Sequence, residues 1–286
     1  MTETSPNLTR RHVLAAAVVA ATPVSAFAAQ DPRIVAAGGV ITEILYALGL
    51  GDRVVGVDST SLFPAEAMKD KPNVGYVRQL SAEGILSLRP DLVIAVDGAG
   101  PPDALKLVAE AGVKVERLAE DLSEHGIVAR IRTVGQLAGA GDKAETLARA
   151  VEAHFAALKL ERDRMTSRKR ILFVLSLQNG RATVGGRNSS ADAIIRLAGG
   201  INAADTLEGY KPITDEGIIA AAPDVVLVMA RGGDHALTAA DLFRLPAFSA
   251  TPAAATARLV AMDPLYLLGF GPRTPEAARD LMAAAR

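Results

Sequence analysis

One segment of the chain occurs twice, and the two copies are offset by 133 residues. Leu80–Ile94 reads LSAEGILSLRPDLVI, and Ile213–Leu227 reads ITDEGIIAAAPDVVL. Each copy begins with a Ser or Thr suited to cap a helix, places an acid in the first helical turn, and stops at a proline before a β-branched strand. A helix followed by a buried strand is typical of a parallel sheet covered by helices. The repeat therefore predicts two similar α/β lobes.

The segments around the repeat extend this prediction. In the first lobe we expect a Gly38-Gly39 turn and then a helix, and the predicted strands are residues 33–37, 54–57, 92–96 and 113–118. The second lobe begins with a strand at 171–175, has a Gly185-Gly186 turn, and ends in a helix after Pro275.

One long helix is predicted between the lobes. Residues 142–166 contain no Gly or Pro and keep apolar side chains at helical spacing. The expected fold is thus two Rossmann-like α/β lobes with parallel sheets, joined by one long α-helix, with a ligand cleft between the lobes. We assign residues 29–140 to the first lobe, 141–168 to the connecting helix and 169–286 to the second lobe. Because a rigid helix connects the lobes, we expect the cleft to open only modestly.

The N-terminal 28 residues have the pattern of an export signal. Arg10 and Arg11 precede an apolar run at 13–21, and Ala26-Phe27-Ala28 fits a signal-peptidase site. The block TRRHVL resembles a twin-arginine signal, and the general secretory route stays open. We expect cleavage near Ala28 and a periplasmic mature protein.

Composition excludes several classes of protein. The 286 residues include no Cys and no Trp, four Tyr and four His, with 31 basic and 32 acidic side chains. A disulfide scaffold, a thiolate metal site and a strongly basic nucleic-acid binder are therefore excluded. No Walker A loop, G-x-S-x-G or H-E-x-x-H motif is present, and no G-x-G-x-x-G opens a helix after a strand. An enzyme using a nucleotide cofactor is the least favoured alternative.

Tyr76 is the first candidate for chemistry, since it lies just before the first repeat helix. In extended backbone Tyr76 and Arg78 would share a face, and a neighbouring guanidinium favours a phenolate. Phenolate is a hard oxygen donor and one of the accepted axial ligands of haem iron. On this chemistry alone, a tyrosine that only packs and hydrogen-bonds at the lobe surface is favoured over an iron ligand.

Three segments carry a resemblance to a known family. The mature chain resembles the periplasmic haem-binding proteins of bacterial haem-uptake ABC transporters, in the segments Gly75–Val93, Gly209–Pro212 and Tyr266–Arg273. The resemblance implies two lobes that hold haem b, the transported ligand, in their cleft. It also implies that Tyr76 is an axial iron ligand and that Arg78 keeps the phenol oxygen anionic.

The resemblance also suggests contacts from the second lobe. Arg231, after the second repeated strand, could face the haem or pair with a propionate, or be a solvated loop residue. Tyr210 and Lys211 precede the second repeat helix, one position out of step with Tyr76, and could contact the other haem face. His235 is a weaker candidate for an iron ligand. The three histidines outside the signal are too scattered for a zinc site.

Glu83 and Glu216 occupy the same position in the two repeats. They could simply complement the helix dipoles. In related transport proteins an acid on each lobe docks against a two-fold permease, so we expect these two to do the same, with Glu43 and Glu66 as weaker alternatives.

The expected function is capture of haem and its delivery to an inner-membrane ABC permease dimer. The haem source could be an outer-membrane haem receptor, and no nucleic-acid partner is expected. The alternative within transport is a ferric-siderophore or cobalamin binding protein of the same fold.

Overall fold

The structure is a computed structural model, and it describes residues 1–2, 31–178, 180–230 and 237–286. Residues 31–286 form one compact unit. The first lobe alternates strands and helices in this order: β1 (Ile34–Ala37), α1 (Gly39–Ala47), β2 (Val54–Val57), α2 (Ala65–Asp70), β3 (Gly75–Tyr76), β4 (Gln79–Leu80), α3 (Ala82–Ser87), β5 (Leu92–Val96), α4 (Pro102–Glu110), β6 (Lys114–Leu118) and α5 (Glu124–Leu137).

Four of these strands form a parallel sheet in the order β2-β1-β5-β6. The chain leaves β1 toward β2 on one side and later returns to β5 on the other side. The carboxyl ends of β1 and β5 therefore enclose a topological switch point, where open α/β sheets bind ligands. β3 and β4 form a separate antiparallel pair beside the sheet.

The helix predicted over residues 142–166 is α6 (Gly141–Asp163). Its buried residues recur along one face and pack against α5 and the final helix of the chain; they are Ala144, Ala148, Val151, Phe155 and Leu158. One central apolar core runs from the first lobe through this face of α6 into the second lobe.

The second lobe follows α6 and contains β7 (Arg170–Gln178), β8 (Arg181–Gly185), α7 (Ser190–Leu197), β9 (Ile201–Asn202), β10 (Tyr210–Ile213), α8 (Asp215–Ala221), β11 (Val225–Met229), α9 (Ala239–Leu242), α10 (Pro246–Ser249), α11 (Pro252–Ala255), β12 (Leu259–Met262), α12 (Pro264–Leu268) and α13 (Thr274–Ala284).

The second sheet combines parallel and antiparallel pairs. Its main order is β10-β8-β7-β11-β12, and β9 also pairs with β7. Strands β7, β11 and β12 run parallel, as the repeat predicts, whereas β8 is antiparallel to both β7 and β10. The prediction of two α/β lobes is confirmed, and the antiparallel edge is a correction to the expectation of a purely parallel second sheet. It arises because β7 and β8 are joined by a short hairpin.

The repeat is preserved in three dimensions. The side chains of Ser81 and Thr214 cap α3 and α8 by accepting the backbone N–H of Gly84 and Gly217 at 2.9 and 3.1 Å. Nine residues after the start of each copy, Arg89 and Ala222 adopt φ values of 48° and 42°. The two copies therefore end their helices in the same left-handed turn before proline.

Candidate ligand-binding cleft

A cleft of about 790 Å³ lies between the two lobes. Cavities that hold small molecules and cofactors span roughly 300–1,000 Å³, so the cleft has the size of a ligand site. Residues that follow β1 and β5 line one wall, and Leu175 of β7 and Met229 of β11 line the other. The cleft thus lies at the carboxyl ends of the central strands of both sheets, where the topology predicts a ligand.

Tyr76 projects from the first-lobe wall of the cleft. It ends β3, and its side chain is 47% exposed. Backbone hydrogen bonds fix its hairpin on two sides: Ser59 N–H donates to Gly75 O at 2.9 Å, and Gly100 N–H donates to Val77 O at 2.9 Å. Gly75 has φ 111°, and a Cβ there would lie 2.6 Å from Gln79 O. The hairpin therefore needs glycine immediately before Tyr76.

Arg78 lines the same cleft, but not by the geometry expected from an extended segment. Tyr76 pairs with Gln79 across the hairpin, so Val77 and Arg78 are the two turn residues. The expectation that Tyr76 and Arg78 share one face of a strand is wrong, because the strand ends at Tyr76. The turn nevertheless brings both side chains to the cleft, and Arg78 is exposed there.

Tyr210 lines the opposite wall, and its hydroxyl is engaged. The Tyr210 hydroxyl lies 2.7 Å from Ser190 Oγ, and its ring meets Phe173 edge-on at 6.2 Å between centroids. Lys211 is the next residue of β10 and is exposed. Since side chains alternate along a strand, Lys211 points away from the face that Tyr210 presents.

A buried carboxylate organises the end of the cleft nearest α1. Asp58 is fully buried, and it accepts hydrogen bonds from Gly38 N–H at 2.7 Å and from the backbone and hydroxyl of Thr60 at 2.9 and 2.6 Å. Thr60 Oγ1 in turn accepts the N–H of Gly39 at 2.9 Å. These bonds use the first N–H groups of α1 for structure, so Asp58 holds the cleft-lining loop against the helix.

Charged side chains also line the cleft. Arg130 is buried, and its guanidinium donates to the backbone oxygen of Phe270 at 3.0 Å. Burial lowers the pKa of Arg130, because desolvation disfavours its charged form, although Glu120 and Asp121 oppose the shift. Asp97 and Glu120 add two acids to the first-lobe wall. An anionic ligand would therefore direct its charged groups toward Arg78 rather than toward Asp97.

The proposed docking acids lie at matching exposed positions. Glu83 and Glu216 are each the second residue of their helices, α3 and α8, and both are exposed. Glu43 is different, since it is 4% exposed and forms an ion pair with Arg273. Its burial rules out Glu43 as a docking residue, which corrects that alternative.

Several predicted features lie outside the described residues. They are Arg231, His235 and the export signal of residues 1–28 beyond Thr2. Within the parts of the chain that are described, no three His, Asp or Glu side chains are grouped so as to hold a metal ion. None of the described helices is both long and apolar enough to cross a membrane.

Sequence reasoning missed Asp58, Arg130 and the Glu43–Arg273 pair. Glu43 and Arg273 are 230 residues apart in the sequence. The Gly271-Pro272-Arg273 motif marks one side of this contact, but no local pattern identifies Glu43 as the partner of Arg273.

The fold and the cleft define a class of protein, namely a two-lobed binding protein with a ligand cleft between its lobes. Residues 34–266 match the family described as periplasmic binding protein. The chain belongs to this family.

Two solved structures share this fold, and a sequence relative with another ligand is also similar. The periplasmic heme-binding protein BhuT, in complex with two hemes, is 40% identical, with a TM-score of 0.84 over 89% of this chain and 97% of that one. The periplasmic heme-binding protein RhuT from Roseiflexus sp. RS-1, in apo form, is 44% identical, with a TM-score of 0.84 over 88% and 97% of the two chains. The vitamin B12-binding protein of Vibrio parahaemolyticus is 29% identical over 68% of this chain and 69% of that protein.

Proposed function

We propose that this protein binds haem in the interlobe cleft through the phenolate of Tyr76 and presents it to an ABC importer. The observation that carries the proposal is the placement of Tyr76: it is a half-exposed phenol on a braced hairpin, at the cleft, beside a turn arginine. The likeness to two heme-binding proteins at 40–44% identity supports the same ligand.

Tyr76 and Arg78 have complementary tasks in this proposal. The Tyr76 oxygen coordinates ferric iron, for which an anionic oxygen is a suitable axial donor. The Arg78 guanidinium stabilises the negative charge on that oxygen or pairs with a haem carboxylate. Tyr210 supplies apolar contact from the opposite wall, because its hydroxyl is already bonded to Ser190. Arg231 and His235 remain candidate contacts from the second lobe.

A hemin titration tests this proposal. Adding hemin to the apoprotein should give a saturable Soret band with a charge-transfer feature of phenolate ligation. Tyr76→Phe removes only the donor oxygen and should abolish that feature. The matched control is Tyr46→Phe, since Tyr46 lies in α1 and not at the cleft. A Tyr76→Phe spectrum that matches the parent would rule out Tyr76 as the iron ligand.

Cobalamin is the second candidate ligand, because the curated relatives include vitamin B12-binding proteins. The same titration with cyanocobalamin decides between the two. Binding of cyanocobalamin with no response to hemin would favour the alternative. A thermal shift with NAD or ATP but none with hemin would instead favour a nucleotide-dependent enzyme.

Delivery is proposed to use Glu83 and Glu216, which lie at equivalent exposed positions in the two lobes. A two-fold permease dimer would present one basic site to each. Glu83→Arg and Glu216→Arg should each reduce growth of the native host on hemin as sole iron source, and the double variant should abolish it. Hemin binding by the purified variants should not change. Full growth of the double variant would exclude this docking surface.

Export is proposed to follow from the N-terminal signal, with cleavage near Ala28. Mass spectrometry of the protein isolated from the periplasm gives its first residue. Replacement of Arg10 and Arg11 by lysine separates the two routes, because the twin-arginine route requires the pair.

A further inference from the structure

An ion pair between a buried carboxylate and a half-buried arginine joins the two lobes near one end of the cleft. Glu43 lies in α1 of the first lobe, and Arg273 lies immediately before α13 of the second. Arg273 Nη2 donates to Glu43 Oε2 at 2.8 Å, and Arg273 N–H donates to Glu43 Oε1 at 3.3 Å. The side chain of Glu43 is 4% exposed and that of Arg273 is 28% exposed. Charges withdrawn from water to this extent depend strongly on the geometry of their pairing.

Two aromatic rings hold the guanidinium in that geometry. Arg273 Cζ lies 3.6 Å from the ring centroid of Phe63 and 5.1 Å from that of Tyr266. The Tyr266 ring is itself fixed, because its hydroxyl donates to Asp280 at 2.9 Å. Burial, together with this bond to Asp280, raises the pKa of Tyr266, so its ring stays neutral beside the arginine. A planar cation close to aromatic rings is a favourable arrangement.

Glycines allow the two lobes to approach this closely. A Cβ on Gly271 would lie 3.1 Å from Glu43 Oε1, and a Cβ on Gly39 would lie 2.2 Å from Thr60 O and 2.9 Å from Leu265 Cδ1. A second link lies nearby, where Arg130 donates to Phe270 O. The Gly271-Pro272-Arg273 motif is therefore part of a contact between the lobes.

The segments that carry these three partners of Arg273 also line the cleft. Glu43 belongs to α1, which contributes Gly39 and Val40 to the cleft. Phe63 follows Leu62, and Tyr266 belongs to α12, whose Leu265 and Leu268 line the other side. The position of Arg273 therefore couples the separation of the lobes to the width of the cleft.

We propose that Glu43 and Arg273 are positioning residues that hold the lobes at the separation where a flat ligand contacts both walls at once. This inference rests on the proposed haem binding. A cleft already set at the right width loses less conformational freedom on binding, and a wider one leaves one face of the ligand in water. Loss of the pair should thus widen the cleft and speed ligand release without changing the iron ligand.

The separation of the lobes can be measured without any ligand. Because the chain has no cysteine, spin labels can be placed at Ala109→Cys in α4 and Ala220→Cys in α8, both exposed. Pulsed electron–electron distance measurements on the hemin-free protein should give a longer, broader distribution for Glu43→Gln and Arg273→Lys. Phe63→Leu, at a 42% exposed side chain that poses little risk to folding, should give a smaller change in the same direction.

Arg279→Gln is the matched control. It breaks the pair between Arg279 and Glu161 at 2.9 Å, also on α13, which connects that helix to α6 rather than to the first lobe. Its distance distribution should match the parent. In stopped-flow release, Glu43→Gln and Arg273→Lys should lose hemin about tenfold faster with the parent's Soret spectrum, whereas Arg279→Gln should not.

The outcomes separate this inference from the proposed function. Unchanged distance distributions in all three cleft variants overturn the positioning role, and so does a wider cleft with an unchanged release rate. If the parent binds no hemin, the proposed function fails, while the distances still decide whether the pair sets the width of the cleft.

Discussion

The two lobes share one repeated unit but differ in what precedes its helix. In the first lobe a separate two-strand hairpin ends in Tyr76, whose side chain is 47% exposed at the cleft. In the second lobe the corresponding segment is β10, which is paired into the main sheet, and Tyr210 is bonded to Ser190 and packed on Phe173. Both lobes thus contain the same repeated unit. The tyrosine before the repeat helix is half-exposed in the first lobe, whereas in the second lobe it is bonded and packed within the protein.

This difference locates the ligand chemistry. The caps, the left-handed turn and the buried strand are equivalent in the two lobes, so they serve the fold. The segment just before each repeat helix reaches the cleft in both lobes but is built differently. A binding protein that needs one strong iron ligand can keep it on one lobe and use the other for contact.

The largest predicted effect separates the two cleft tyrosines. Tyr76→Phe should weaken hemin binding about 100-fold, roughly 2.7 kcal/mol, because it removes the proposed iron ligand. Tyr210→Phe should weaken it less than about threefold, since the lost hydroxyl is bonded within the protein. Soret titrations of the two variants measure both values. Equal losses would show that the lobes contribute alike.

A second prediction concerns an anchor that both repeats share. Asp91 accepts the backbone N–H of Arg33, and Asp224 accepts that of Arg170, each at 2.8 Å. Asp224 is half-buried and Asp91 is exposed. Asp224→Ala should therefore lower the free energy of unfolding by about 2 kcal/mol and Asp91→Ala by about 1 kcal/mol. Urea unfolding gives both numbers, and a larger cost for Asp91 would contradict the burial argument.

The helix caps should behave identically, because their geometry is the same. Ser81→Ala and Thr214→Ala should each lower the free energy of unfolding by about 1 kcal/mol. Ser87→Ala is the control, because it removes only an exposed hydrogen bond from Ser87 Oγ to Gly84 O at 2.8 Å, and it should cost less than either cap. Costs that differ more than about twofold between the two caps would mean that the repeats are not equivalent in energy.

Local patterns in the sequence predicted much of the fold. The strands at 54–57 and 92–96 have the predicted bounds, and the long helix differs only at its ends. These elements follow from hydrophobic periodicity, caps and prolines, which act over a few residues. The antiparallel β8–β10 edge was not predicted, because strand pairing depends on distant partners.

The sequence predicted which residues lie at the candidate site better than it predicted how they are arranged there. Both Tyr76 and Tyr210 lie at the cleft, but Val77 and Arg78 form a turn where the sequence pattern predicts an extended strand. Asp58 and the Glu43–Arg273 pair resemble ordinary surface charges in the sequence. Their burial is a tertiary property that a single sequence does not reveal.

The smallest predicted effect tests why Tyr210 differs from Tyr76. Ser190→Ala removes the hydroxyl that lies 2.7 Å from the Tyr210 oxygen and so frees that phenol at the cleft. In the Tyr76→Phe background it should recover hemin affinity by no more than about threefold, near the lower limit of one net hydrogen bond. The ring would still be held edge-on against Phe173, so its oxygen could not move far toward a ligand on the opposite wall. A Soret titration of the double variant gives this value. Full recovery would mean that only the hydrogen bond to Ser190 distinguishes the two tyrosines, and that backbone placement in β10 matters less than its pairing suggests.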